Sequence, residues 1–465
     1  METQEMPFEA SVLMRLPLAE ATLRLMRHVL DPAELDRLYD EFRGGCYQRQ
    51  LTFSQMVQLI ADCLLGPAES ARERLLEADE QDELPATTRA FYDKLSRSPI
   101  EVSARLVGHC HERLRPLGMA SATSLPGCLA GHRVTLLDGK VIKHVPRRLR
   151  PLRWSEPNAM KLLGARGLVA VDAETGLAEC LCGLADGERQ EVTLVPKLLA
   201  QLSIDGPRRL FVADRAFGFL EYVRQFDAIG DFVVRMNRSA IFERDLAVES
   251  RRGTDAGGRC WEEETGWVCR GPQRLERIRV RRITMPLEKK DVLIVITNLT
   301  DAEVFPAAEL LDTYRRRWGI EGVFQQITEV FDLKRLIGST PEATLLQMSL
   351  CLVVYNLIRM VHQYAAVAND RPPEKVSGEM LFRDVRSELT TVARLLTPAH
   401  LELLLVPLGP EQLQAWLLKL LQGTWHRKWT KSARPRPSGP PKPKTKKLRQ
   451  EKPHDSVFRV LRRTP

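Results

Sequence analysis

Apolar residues recur every three to four positions through most of the first 126 residues, a spacing that predicts amphipathic helices. One such run follows Thr52-Phe53-Ser54-Gln55, which predicts a helix N-cap, and is stopped by Gly66-Pro67. Asp31-Pro32 and Ser98-Pro99 show the same pattern of a capping residue before proline. We therefore predict a helical N-terminal domain over residues 1–126.

From Arg133 onward the apolar residues form short continuous runs, which are typical of buried strands. Three such runs are followed by a helical stretch and then a fourth run; these segments are 133–137, 167–172, 177–183, the helix 191–202, and 209–213. Residues 127–339 are therefore predicted to form an α/β core. A second strand-rich segment, about 237–305, is predicted to be a β-rich insertion in that core.

Residues 340–426 return to a helical pattern rich in leucine. The longest apolar stretch of the chain, residues 345–367, is interrupted by the polar residues Gln347, Asn356, Arg359 and His362. Such interruptions favour a buried helix over a membrane span.

Three carboxylates stand in contexts that would bring them to one point of the predicted sheet. Asp138 and Asp214 follow the apolar runs of the first and fourth predicted strands, whereas Glu321 lies in a helical stretch. Such a set offers the oxygen ligands that hard divalent cations prefer. Each carboxylate also has an ordinary alternative. Asp138 could be a turn residue before Gly139, Asp214 could form a surface ion pair with Arg215, and Glu321 could lie on a solvated charged helix face.

The helical stretch around Glu321 has one polar face and one apolar face. At about 100° per residue, the polar face carries Tyr314, Arg317, Glu321 and Thr328. The apolar residues group roughly a third of a turn away. Because a guanidinium and nearby hydroxyls can donate several hydrogen bonds to one phosphate, Tyr314, Arg317 and Thr328 are candidate phosphate ligands. The alternative is a helix packed through Tyr314 with Arg317 in solvent.

The pattern Tyr-x2-Arg-x3-Glu, with Arg-Trp-x-Ile-Glu-x2-Phe inside it, resembles the signature of the DDE transposases of bacterial insertion sequences, in the insertion-sequence-four branch. The resemblance covers roughly residues 130–360. The family motif continues with a lysine, and this chain has Thr328 at the matching position. Arg335 returns to nearly the same helical face and is a candidate to supply the displaced charge, against the alternative of a solvent-facing arginine.

The resemblance implies a ribonuclease H-like catalytic core with a β-rich insertion, flanked by helical regions. It implies that Asp138, Asp214 and Glu321 are catalytic and hold two Mg²⁺ ions, for which Mn²⁺ can substitute. It also implies an N-terminal domain that binds the element's ends, and a homodimer on double-stranded DNA that cuts those ends and joins the 3′-hydroxyl to target DNA. Two other functions stay open: a catalytically inactive or repurposed relative that binds DNA, and a nuclease of this fold without strand transfer.

One basic segment leaves the predicted sheet directly after Asp138. Residues 140–166 contain eight Lys and Arg against the single acid Glu156. The segment is therefore predicted to guide DNA, with Arg147, Arg148 and Lys161 as candidate contacts, against the alternative of a solvated loop. In the insertion, the resemblance implies that Trp267 or Trp261 stacks on a flipped base, whereas the ordinary alternative is a core tryptophan.

The net charge of +9 comes entirely from the C-terminal tail, residues 427–465. This tail has fourteen Lys and Arg against two acids, a balance of +12, so the remaining 55 basic and 58 acidic residues leave −3. Because the tail is also rich in proline, it is predicted to be disordered until it meets a polyanion; the alternative is a solubilising tail. Nine cysteines without a CxxC pair predict a reducing, cytoplasmic location, on the bacterial nucleoid if the resemblance holds.

Overall fold

The computed structural model describes residues 8–66, 70–119, 125–143, 145–154, 161–202, 206–270, 275–287, 291–330, 338–431 and 454–463. These residues form a mixed α/β structure with one large sheet, and helices from both ends of the chain pack together against β2 and β3. Arg335 lies outside the described residues.

Helices make up the N-terminal part, as the apolar spacing predicts. They are α1 (Phe8–Met14), α2 (Pro17–Val29), α3 (Pro32–Phe42), α4 (Phe53–Leu65), α5 (Ala71–Glu80), α6 (Thr88–Arg97) and α7 (Ile100–Leu114). Asp31 accepts from the Glu34 N–H at 3.0 Å, and Thr52 and Gln55 form a reciprocal capping box. The predicted cap at Ser98 is wrong, because the Ser98 hydroxyl donates to the Lys94 carbonyl at 2.9 Å and Pro99 precedes α7.

The central sheet begins with five strands. They are β1 (His132–Lys143), β2 (Lys161–Asp172), β3 (Ala178–Leu184), β4 (Arg208–Ala213) and β5 (Asp231–Arg235), with the helices α8 (Arg150–Trp154), α9 (Val195–Gln201) and α10 (Leu220–Asp227) between them. Their order is β3, β2, β1, β4, β5. β1, β4 and β5 are parallel, whereas β2 is antiparallel to both β1 and β3. The first and fourth strands therefore lie side by side.

The second strand-rich segment continues this sheet. Its strands are β6 (Ile241–Arg244), β7 (Arg251–Thr254), β8 (Cys260–Arg270), β9 (Glu276–Pro286) and β10 (Val292–Thr297). β10 pairs antiparallel with β5, and β9, β8 and β6 follow in order, with β7 beside β8. The inserted strands are thus hydrogen-bonded to the central sheet rather than packed against it as a separate layer.

The remaining helices follow the inserted strands. They are α11 (Ala307–Arg316), α12 (Trp318–Gln325), a π-helical turn (Gln326–Val330), α13 (Pro341–Val367), α14 (Gly378–Leu395), α15 (Pro398–Leu404) and α16 (Pro410–Leu421). By length and composition, α13 is the one helix among the described residues that could cross a membrane, but 94% of its apolar window is buried inside the protein. It packs against α7, α2 and α4 and against β2 and β3, so the predicted buried helix is confirmed.

Part of the predicted disordered tail is ordered. Residues His454–Ser456 form strand β11, which pairs parallel with Lys161–Leu163 of β2, and Val457–Arg463 form helix α17. The Arg459 guanidinium donates to Asp186 at 2.9 Å. At the other end of the tail, Trp429 is fully buried and its indole N–H donates to Asp384 at 2.7 Å. The prediction was wrong for these residues because short apolar anchors at both ends of the tail are hidden by its average composition.

A carboxylate on α14 caps a helix from the opposite end of the chain. The Glu388 Oε2 accepts from the backbone N–H groups of Leu18 and Ala19, at 2.8 and 3.0 Å, at the start of α2. Burial raises the pKa of Glu388 to about 7, against the opposing effect of these two donors. The folded protein therefore holds this proton between about pH 4.5 and 7, where the unfolded chain has released it.

We expect the stability contributed by Glu388 to be greatest below about pH 4.5 and to fall as the pH rises through 7. Glu388→Gln removes the titration and keeps an acceptor oxygen. Relative to this variant, the free energy of unfolding of the wild type should drop by about 2 kcal/mol between pH 5 and 8. Urea unfolding of both proteins across this range measures the difference. A constant difference would mean that the Glu388 pKa is unchanged by folding.

Candidate functional site

Asp138 and Asp214 lie where the parallel pairing of β1 and β4 ends. The last paired residues are Leu137 and Ala213, and the two aspartates come next on their strands. β1 itself continues to Lys143 through its pairing with β2, so Asp138 lies within a strand rather than beyond one. Because alternate residues of a strand face opposite sides, Asp138 and Asp214 share the side of Leu136 and Val212. That is the side on which α12 packs.

Short backbone contacts orient both aspartates. The Asp138 Oδ1 accepts from the Gly139 N–H at 2.9 Å. Asp214 is the N-cap of a short 3-10 helix, Arg215–Phe217, and its Oδ1 accepts from the Ala216 N–H at 2.8 Å. In each case one carboxylate oxygen is held by its own loop or strand, and the second can meet other partners.

Arg317 joins the helical carboxylate to the first strand. Its Nη1 lies 3.4 Å from the Asp138 Oδ2, and its Nη2 lies 2.9 Å from the Glu321 Oε1. The arginine side chain is 8% exposed, that of Asp138 18% and that of Glu321 43%, so the bridge runs from the interior toward solvent. The Arg317 Nε has no hydrogen-bond partner in the part of the chain that the structure describes. The bridge draws Asp138 and Glu321 to a common site.

The charges of this site act on one another. Burial, together with the negative charges of Asp214 and Glu321, raises the pKa of Asp138 to about 6, against the opposing effects of Arg317 and the Gly139 N–H. Burial also raises the pKa of Tyr314, whose hydroxyl lies within reach of Arg317. The three carboxylates, the arginine and the tyrosine are therefore one electrostatic unit. The buried Asp138 carboxylate, whose pKa is raised, would be stabilised in its charged form by a bound cation.

The predicted helical stripe is interrupted. α11 ends at Arg316 and α12 begins at Trp318, with Arg317 between them, and the Arg317 N–H donates to the Tyr314 carbonyl in a tight i to i−3 turn. Beyond α12 the chain becomes π-helical, which changes the angular spacing before Thr328. The Thr328 hydroxyl donates to the Phe324 carbonyl at 2.6 Å rather than pointing to a shared polar face. The single continuous stripe was therefore wrong, although Arg317 and Glu321 still meet.

The structure also shows a cation that the sequence analysis did not single out as a site residue. Lys140 lies two residues after Asp138 on the same side of β1, and its ammonium group stands 5.5 Å from the centre of the Phe324 ring on α12. The period of two along a strand is the signal that would have identified it. Lys140 thus places a positive charge between the strand of Asp138 and the helix of Glu321.

The other predicted DNA contacts have local partners. Arg148 lies over the Tyr92 ring at 5.5 Å and donates to its hydroxyl at 3.2 Å. Arg147 donates to the Leu152 carbonyl at 3.5 Å, and Lys161 is exposed at the start of β2, beside β11. Trp267 carries the guanidinium groups of Arg277 and Arg279 over its ring, at 4.8 and 5.9 Å. These contacts place none of the four against the three carboxylates.

The donor set fits hard metal ions in its chemistry, since all three side chains offer carboxylate oxygens. Among the residues that the structure describes, however, no three His, Cys, Asp or Glu side chains are grouped closely enough to hold a metal ion. The Arg317 guanidinium lies between Asp138 and Glu321 and bonds to both.

Comparisons with known proteins identify a family for the central part of the chain. Residues 129–357 match the family described as the transposase DDE domain, and this part of the chain belongs to that family. The chain is 32% identical over 80 residues to the transposase InsG for insertion sequence element IS4 of Escherichia coli (strain K12). That match spans 17% of this chain and 18% of the relative. The resemblance predicted from the Tyr-x2-Arg-x3-Glu pattern is therefore confirmed.

A solved structure is similar across most of the chain. The cryo-EM structure of a piggyBac transposase synaptic complex with hairpin DNA covers 89% of this chain and 87% of its own, at 12% identity and a TM-score of 0.41.

Proposed function

We propose that this protein is a DNA transposase that cuts DNA at the ends of an insertion sequence and joins the 3′-hydroxyl to target DNA by transesterification. The observation that carries the proposal is the placement of Asp138 and Asp214 where the parallel pairing of β1 and β4 ends, with Glu321 joined to Asp138 through Arg317. The strand order β3, β2, β1, β4, β5, with β2 antiparallel, supports a ribonuclease H-like core. The transposase DDE domain match supports the same reaction class.

Asp138, Asp214 and Glu321 would hold divalent metal, for which we propose two Mg²⁺ ions, with Mn²⁺ as a substitute. Such ions activate a water or 3′-hydroxyl and stabilise the leaving oxygen of a phosphodiester. With Asp138 and Glu321 engaged by metal, the Arg317 guanidinium would be available to a phosphate oxygen of the DNA, with the Tyr314 hydroxyl beside it.

The cations around this site would hold the DNA backbone. Lys140 stands between β1 and α12, and the basic segment with Arg147, Arg148 and Lys161 follows it in the chain. Trp267, flanked by two arginines, offers a stacking surface in the insertion. Lys140 is better placed than Thr328 to supply the positive charge of the family lysine, because the Thr328 hydroxyl is used by the Phe324 carbonyl. We propose that two copies act together on double-stranded DNA.

The test is a cleavage and strand-transfer assay with the purified full chain. The substrates are labelled duplexes that carry the DNA flanking its gene, and matched duplexes of scrambled sequence. We expect nicking at the flanking sequence and joined products with Mg²⁺ or Mn²⁺, and neither with EDTA. Binding without cleavage in any metal would instead identify an inactive DNA-binding relative. Cleavage without joined products would identify a nuclease.

The tail is expected to add affinity for DNA of any sequence. Deleting residues 427–465 would also remove the buried Trp429 and the packed residues 454–463, so charge replacement is the cleaner test. Residues 432–453 contain eight Lys and Arg. Changing all eight to Gln should weaken binding to random duplex and flatten the logarithmic salt slope, by roughly 0.9 for each DNA phosphate that the tail no longer neutralises.

Fluorescence anisotropy over a series of salt concentrations measures this slope. The control exchanges the same eight residues between Lys and Arg, which keeps every charge and should keep the slope. A slope that does not change in the Gln variant would assign the tail to solubility.

A further inference from the structure

A cavity of about 630 Å³ lies beside α12 on a face that does not include Glu321. Gly319, Gly322 and Val323 of α12 form one wall, and the turn between β2 and β3, α13 and the segment before α14 form others. The end of α11 also lines the cavity, where Arg315 is paired with Asp255 and Arg316 with Asp312. We call it the rear cavity. Nothing in the proposed cleavage reaction uses it, although its wall is the helix that carries Glu321.

Two cations that face the rear cavity bond to neutral groups. The Arg359 Nε donates to the Thr175 carbonyl at 3.4 Å, and the Lys431 Nζ donates to the Glu374 carbonyl at 2.9 Å. Both acceptors are backbone oxygens, and neither cation forms an ion pair with any residue that the structure describes. Burial and then the charge of Arg359 lower the pKa of Lys431, against the opposing charge of Glu374, so the two positive charges are close enough to repel each other. A bound anion would relieve that repulsion.

The buried residue His362 lines the same cavity. Its Nε2 lies 3.2 Å from the Val376 carbonyl, which can only accept, so Nε2 carries the proton. Burial, followed by the charge of Arg359, lowers the pKa of His362 to about 4, and the ring is neutral near pH 7. Its Nδ1 is then an acceptor, and no donor reaches it from the described residues. A sugar hydroxyl or a protonated phosphate oxygen could donate a hydrogen bond to this nitrogen.

The remaining walls limit the kind of anion. Apolar contacts come from Leu136, Val171, Val323 and Ile358 and from the ring of Tyr355. The carboxylates of Asp172, Asp312 and Glu374 also line the cavity, and they disfavour a long polyanion such as duplex DNA. Small-molecule sites are typically about 300–1,000 Å³, mostly apolar, with a few convergent polar groups.

We propose that the rear cavity binds a small phosphate-bearing ligand of mononucleotide size. Its phosphate lies on Arg359 and Lys431, its hydroxyl groups face His362, and its ring lies against the apolar wall. The proposal does not depend on the transposase function, because none of its residues belongs to the carboxylate site.

Isothermal titration calorimetry on the full chain tests the proposal with three probes: AMP, inorganic phosphate and adenosine. AMP should bind more tightly than phosphate, and adenosine should bind least. Lys431→Met should weaken AMP binding about tenfold, the effect of one charged hydrogen bond. Lys431 is exposed, so this variant is expected to fold. Arg359→Lys keeps the charge but loses the planar guanidinium with its parallel N–H donors. It should weaken AMP binding less than Arg359→Met does.

The matched control is Lys375→Met, which removes the same charge from an exposed residue outside the cavity lining and should leave AMP affinity within about twofold. Equal losses in Lys375→Met and Lys431→Met would reduce the effect to general surface charge and overturn the site. So would absence of AMP binding at millimolar concentration. A short DNA duplex that displaces AMP with the same dependence on Lys431 would assign the cavity to the DNA backbone and contradict the small ligand.

Discussion

Replacing Asp138, Asp214 or Glu321 with the corresponding neutral amide is expected to abolish DNA cleavage. Each change keeps the shape of the side chain and removes a charged oxygen ligand. Because metal ions supply several kcal/mol of transition-state stabilisation, the rate should fall by at least about 1,000-fold. Binding of the same duplex should change little or become tighter, since a negative charge facing DNA is removed. Gel assays of nicking and of duplex binding measure the two quantities separately.

The matched control is Glu221→Gln, which makes the same chemical change at an exposed carboxylate seven residues after Asp214. It should leave the rate unchanged. If one of the three site variants retained wild-type turnover with Mg²⁺, that residue would be removed from the proposed metal ligands. Because Asp138 and Glu321 are proposed to hold the same metal centre, the double variant should lose no more activity than either single one.

Arg281→Met is expected to destabilise the fold more than other single changes in the inserted strands. Arg281 is 0% exposed, and its guanidinium donates to both oxygens of Glu263, at 3.0 and 2.6 Å. It also donates to the Leu299 and Phe305 carbonyls, at 2.8 and 2.9 Å, in the segment between β10 and α11. Removing it leaves a buried carboxylate without its cation and frees two carbonyls. The expected decrease is about 3–5 kcal/mol in the free energy of unfolding, measured by urea denaturation.

Arg252→Met is the control for this change. Arg252 of β7 pairs with Glu262 of β8, the strand that also carries Glu263, but its side chain is 77% exposed. The expected decrease in stability is therefore below about 1 kcal/mol. Adding Glu263→Gln to Arg281→Met should recover part of the stability, because the unpaired buried charge is removed. Similar small decreases at both arginines would show that the buried pair contributes little.

Local pattern was sufficient for the elements that carry the site. Short apolar runs predicted β1 and β4 with Asp138 and Asp214 after them, because burial on both faces of a strand leaves a continuous apolar signal. That the two strands are neighbours was implied by the ribonuclease H-like fold, and they pair in the structure. The Tyr-x2-Arg-x3-Glu spacing predicted a helix with Glu321 and, through the resemblance, the family that the transposase DDE domain match confirms. The N-caps at Asp31 and Thr52 could also be predicted from the sequence, since their hydrogen-bond partners lie three residues away.

The prediction from composition was wrong where a few apolar residues are buried in a segment that is basic and rich in proline on average. The tail is basic and rich in proline overall, yet Trp429 is buried and β11 pairs with β2. Strand β11 has only three residues, too few for a recognisable periodicity. It is stabilised by pairing with the edge of β2, which the sequence does not reveal. The prediction of one continuous helical stripe was wrong for a related reason. The tight turn at Arg317 and the π-helical turn after α12 change the rotation per residue, which the prediction took as that of a continuous α-helix.

The amino-acid sequence by itself determined which elements form and which three carboxylates they carry, because hydrophobic period and capping act over a few neighbouring residues. Only the tertiary structure decided that Arg317 bridges Asp138 and Glu321, that burial raises the pKa of Asp138 to about 6, and that Lys140 stands beside α12. These properties depend on distance and desolvation between segments far apart in the chain, and no local pattern encodes either quantity.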